Sequence, residues 1–161
     1  MEPQEIFGLQ FVLSVVVISL LARWELSPRL ARLKPHEALF WLTVPHAFRH
    51  IGLVFLVPGV VAQPLPEYFA LPAAYGDLAA GLLALTTLIA LRSGWALALP
   101  VAWLFNLVGI VDLFNALRHA EVVPYFGAAW YIPTFFVPLL LITHYLSFAR
   151  LLQRSPPLVT Q

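Results

Sequence analysis

Residues Leu39 to Ala62 read LFWLTVPHAFRHIGLVFLVPGVVA, an apolar run broken in its middle by Pro45-His46-Ala47-Phe48-Arg49-His50. About 20 mainly apolar residues suffice to cross the hydrocarbon core of a bilayer, so this run is long enough to span one. Arg49 would then lie near the midplane, where a cation costs roughly 2.5–3.5 kcal/mol even on insertion-based scales. A group placed at that cost needs partners, and the rest of the chain has to supply them.

Composition points the same way. Of 161 residues 61% are hydrophobic and only 11% are charged, far from the balance of soluble domains. The chain has no cysteine, which excludes disulfides, thiolate metal sites, cysteine nucleophiles and palmitoylation. A formal net charge of +1 carries no nucleic-acid signal, and neither a Gly-rich phosphate loop nor a basic recognition helix is present.

Outward from the central run, four further apolar segments appear, giving five spans in all at about 6–22, 39–62, 69–91, 95–117 and 125–149. The first is read as a retained helix rather than a signal peptide: Glu2 and Glu5 replace a positive n-region, and no small-x-small cleavage site follows Leu21. Pro28 and Pro35 argue against a continuous helix through the basic stretch Arg23 to His36. Arg92-Ser93-Gly94 reads as a tight turn, and the Pro-rich tail from Arg150 to Gln161 as disordered.

The cations are unevenly placed. Arg23, Arg29, Arg32, Lys34, Arg92, Arg150 and Arg154 fall on one side of the spans, and Arg118 with Glu2, Glu5, Glu67 and Glu121 on the other. By the positive-inside rule the first side is cytoplasmic, so the N-terminus lies outside and the C-terminus inside, as an odd number of spans requires. The expected architecture is therefore all-α: one transmembrane domain over residues 1–161, a five-helix integral membrane bundle in a cell inner (plasma) membrane.

Ionisable groups inside spans mark binding sites, proton relays or buried ion pairs. His46, Arg49 and His50 stand at i, i+3 and i+4, so an α-helix would put all three on one face. Asp77 and Asp112 are the acids at membrane depth, and Tyr75 and Asn106 are polar neighbours. One Arg facing two Asp leaves the cluster net negative unless it takes up a proton. The candidate ligand- or proton-binding residues are thus His46, Arg49, His50, Tyr75, Asp77, Asn106 and Asp112, with no catalytic nucleophile among them.

The His46–His50 spacing, completed by Asp77 or Asp112, also suits a metal, and His144 paired with His46 or His50 suits a haem. Trp24, Trp41, Trp95, Trp130 and Tyr131 lie at span ends, as interfacial anchors do.

Phe48 to Leu56, Phe69 to Asp77 and Asn106 to Leu113 resemble stretches of small, uncharacterised bacterial multispanning proteins. The Arg-x-x-Gly of Arg49 to Gly52, followed by Gly76-Asp77 to Gly81, more distantly resembles the DoxX-type four-helix family. That resemblance implies association with a quinone-dependent redox complex. The chain departs from the DoxX pattern in carrying Asp for Glu and an additional first span.

Three functions follow as expectations. The first is a non-enzymatic component binding or moving a small molecule or proton at the Arg/Asp/His cluster. The second is a redox-associated subunit with quinone or haem, and the third a structural subunit whose buried ion pair sets helix register. Partners under these readings are the bilayer, a small-molecule ligand and a homo-oligomer or larger membrane complex.

Overall fold

Pro28 is the first residue to separate expectation from outcome. In the computed structural model, which describes residues 1–153, the first helix does not stop before it but runs on to Ala31. Residues Ala22–Leu26 are wound as a π-helix, with the Ser27 N–H reaching back to Ala22 O. A proline ring collides with the carbonyl four residues before it in an α-helix, and a single wider turn moves that carbonyl aside. The same solution recurs at Ile132–Phe136, where Val137 N–H bonds Ile132 O immediately before Pro138. Pro35 does break the chain, because Lys34 is extended.

Among the described residues, five helices are long and apolar enough to cross a membrane: α1 Pro3–Ala31, α2 Pro35–Leu56, α3 Glu67–Ser93, α4 Ala98–Leu117 and α5 Gly127–Leu152. The second begins four residues earlier than its hydropathy suggested and ends at Leu56, since Val57 is extended just before Pro58. Residues 150–152, read as the start of a disordered tail, close α5; residues 154–161, with Arg154, lie outside the described part. Gly94, in the left-handed region at φ +67°, ends α3 and makes the expected tight turn.

Helix α3 packs against α2 on one side and α4 on the other, and α5 touches α4, α1 and α2. The first helix is peripheral. Ala22 and Leu30 are its only buried residues, while Leu9, Val12, Leu13, Val16 and Val17 are bare. It is fastened by Trp130 Nε1–H to Gln10 Oε1 at 2.6 Å and by Phe7 against Phe126 and Trp130.

At the end away from the basic stretch, the connections on either side fold over the bundle and pair backbone to backbone. Ala62 N–H donates to Tyr125 O at 2.9 Å and Ala128 N–H to Val60 O at 2.8 Å. Gly127 is required here, since its φ is +50° and a Cβ would stand 2.6 Å from Val60 O. Val61, Leu65, Val122, Val123 and Phe126 are buried beneath this cap with Phe55 and Phe69.

Candidate functional site

The polar stretch of α2 is not an α-helix. From Val44 to Leu56 it is wound as a 3-10 helix, entered at the turn containing Pro45. Proline cannot donate to the carbonyl four residues back, so the α-helical ladder fails there. Three residues per turn place every third side chain on one face. The buried residues of this segment are accordingly His46, Arg49, Gly52 and Phe55. His50, expected beside Arg49, is exposed, and its Nδ1–H donates to Ala47 O at 3.0 Å. One step past a full three-residue turn rotates it about 120° away from the site.

Arg49 is completely buried and bonded on all three nitrogens. Its Nε–H donates to Asp77 Oδ1 at 2.8 Å, Nη1–H to Gly109 O at 3.0 Å and Nη2–H to Asp112 Oδ2 at 2.5 Å. The carboxylates are not fully enclosed, with 14% of the Asp77 side chain and 13% of Asp112 exposed. Glycines make this convergence feasible. A Cβ on Gly52 would lie 2.7 Å from Asp77 Cγ, and one on Gly76 would lie 2.7 Å from Asp112 Cγ. Gly81 lets α3 approach the backbone of α2, with its would-be Cβ 3.3 Å from His50 N.

Tyr75 does not join the cluster and is 56% exposed. It stands two residues before Asp77 on an α-helix, so it points to the opposite side. Asn106 does belong, through His144, a residue the sequence offers only as a haem ligand. Its Nδ2 donates to Ala102 O at 2.8 Å, which makes Oδ1 the acceptor for His144 Nδ1–H at 2.9 Å. Thr143 Oγ1 gives its hydrogen to Leu139 O and so accepts from His46 Nε2–H at 2.9 Å. The two imidazoles stand with ring centroids 4.1 Å apart, both against Phe105.

These assignments leave His46 Nδ1 and His144 Nε2 each with a lone pair and no hydrogen-bond partner among the described residues. Buried polar atoms of this kind are rare in folded proteins and call for a functional account. Ser147, one turn further along α5, is also buried with its hydroxyl unpaired. Helix α5 reaches Leu152, three residues past the expected span end at 149, which puts His144 about two turns inside it. Thr143 and His144 are therefore deep enough to meet His46.

A cavity of about 60 Å³ reaches the cluster from the capped end. Phe55, Phe69, Leu113 and Phe126 form its walls, and Asp77 and Asp112 are at its base. His119 lines it too, and donates Nδ1–H to Glu121 Oε1 at 3.0 Å. Glu121 lies outside the five helices, and its carboxyl is held below the usual range by its own backbone N–H and then by His119.

The geometry tests the cofactors considered from sequence. With His50 turned outward, the His46–His50 metal spacing is not assembled, and among the described residues no group of three or more His, Asp or Glu is placed to hold a metal ion. Rings 4.1 Å apart leave no gap for a macrocycle between His46 and His144.

No curated protein and no solved structure matches the chain. The family model that matches is described only as a domain of unknown function, and the DoxX resemblance finds no counterpart in it. That match extends over residues 6–152, taking in α1 from Ile6 onward, the other four helices whole and every residue of the Arg49 cluster, and the chain therefore belongs to the DUF8737 family.

Proposed function

We propose that this chain is a multi-pass protein of a bacterial inner membrane, its N-terminus outside and its C-terminus cytoplasmic, and that it takes up and passes on a proton at the Arg49 cluster. The observation that carries the reading is one buried guanidinium standing between two carboxylates on the side of a small cavity and two imidazoles with free lone pairs on the other. Counted as charged groups, Arg49, Asp77 and Asp112 sum to −1, which a proton neutralises. The cavity has room for a few water molecules, so a hydrated proton suits it.

Under this reading Asp112 and Asp77 receive the proton from the outer side. Arg49 keeps other cations out, and the His144–His46 pair accepts on the cytoplasmic side at Nε2 and Nδ1. A purely structural role for the ion pairs is the competing reading, favoured by the three bonds through which Arg49 ties α2 to α3 and α4.

Asp112→Asn separates the two. It keeps the shape of the side chain and an oxygen for Arg49 while removing the surplus negative charge, so it should fold at least as well as the parent. In vesicles holding a pH-sensitive dye under a clamped membrane potential, the parent should conduct protons and Asp112→Asn should lose about a hundredfold of that flux, the scale of one positioned proton-transfer group. Equal flux in both would leave only the structural role.

A further inference from the structure

A second, much larger hollow lies at the basic end, separate from the Arg49 cluster, with a volume of about 710 Å³. Its rim carries Lys34, Arg92 and Arg150, from the turn before α2 and the ends of α3 and α5. Its wall is apolar, with Trp41, Leu99 and Trp103 exposing or half-exposing their side chains to it. The acid on the rim, Glu37, is turned back to the Lys34 backbone N–H at the start of α2, at 3.4 Å. Three permanent cations over a hydrocarbon-lined cleft match an anion carrying an apolar chain.

We infer that this cleft binds one anionic phospholipid, with the phosphate among Lys34, Arg92 and Arg150 and an acyl chain along Trp41, Leu99 and Trp103. The cleft opens at the ends of the membrane-length helices, which is headgroup depth, and basic pockets between spanning helices take anionic headgroups by charge and chain by apolar contact. Its volume falls within the range of ligand-binding clefts, whereas that of the cavity at Asp77 does not. The interfacial tryptophan expected at residue 41 thereby gains a specific partner, since its ring forms part of the wall rather than a mere anchor. The site stands whether or not the chain moves protons.

The test uses the full chain in detergent with phosphatidylglycerol or phosphatidylcholine added, followed by native mass spectrometry. Phosphatidylglycerol should be retained in preference, and Arg92→Gln and Arg150→Gln should each lower its retention about fivefold, the effect of one cation near an anionic surface. Arg92 is exposed, so its thermal midpoint should not move. A photoreactive phosphatidylglycerol should label peptides containing Trp41 and Trp103. Equal retention of both lipids, indifference to both substitutions, or labelling confined to other helices would overturn the assignment. So would complete displacement by soluble glycerol phosphate, which would make the rim a site for free phosphate.

Discussion

Arg49→Leu should not yield a folded protein. The substitution leaves Asp77 and Asp112 facing each other across the space the guanidinium filled, with at most 14% of either side chain exposed. Removing one partner of a buried ion pair costs about 3–5 kcal/mol, and here two anions lose the same cation. That is a large share of the total stability of a small domain. The expected observation is aggregate in size-exclusion chromatography, or a thermal midpoint lowered too far to measure.

Restoring neutrality should reverse the loss. Arg49→Leu combined with Asp77→Asn and Asp112→Asn carries no charge at the site, and replacing a buried ionic group wholesale by neutral side chains is often neutral or stabilising. If the triple variant is as unstable as Arg49→Leu alone, packing of the arginine stem, and not charge balance, holds the helices together. Because Arg49→Leu unfolds the chain, loss of flux in that variant says nothing about proton movement, which is why Asp112→Asn is the informative change.

Gly109→Ala is the second substitution with a large expected effect. Its new methyl group would stand 2.7 Å from both Cε1 and Nε2 of His144 and 3.1 Å from Arg49 Nη1. Neither neighbour can yield easily, since Arg49 is bonded on three nitrogens and His144 is fixed to Asn106. Overpacking of this kind costs typically about 1–3 kcal/mol, and it should also push the imidazole off its bond with Asn106. Gly8→Ala is the matched control, because nothing lies within 4 Å of its added carbon. A thermal midpoint for Gly109→Ala equal to that of Gly8→Ala would show that the α4–α5 contact is looser than drawn.

Much of the frame is legible in the sequence. Hydropathy alone gives five segments, because a bilayer-length apolar run is a coarse signal that survives errors at its ends. The meeting of Arg49 with Asp77 and Asp112 was also readable, since an arginine in an apolar span has few places to go. The remainder turns on winding. His50 and His46 share a face only at 3.6 residues per turn, and the structure uses three, a change that Pro45 hints at without determining. Tyr75 is close to Asp77 in sequence, but two residues along a helix is nearly the far side. Pro28 looks like a stop in the sequence because a π turn leaves no mark in hydropathy. His144 is legible in the sequence as a partner for His46, but its bond to Asn106 depends on where α5 ends.

The tight winding of Val44–Leu56 also sets a length. A 3-10 helix rises about 2.0 Å per residue and an α-helix about 1.5 Å, so rewinding these 13 residues would shorten the strut by about 6 Å. Rewinding would also fan the row of His46, Arg49, Gly52 and Phe55 by about 60° for each three-residue step, since three α-helical residues turn through about 300°. Arg49 could not keep Asp77 while Gly52 kept its place against the same carboxyl group. Pitch and ion pairing are therefore mechanically geared: any force that draws the ends of α2 together must release the arginine, and whatever holds the arginine keeps the strut long.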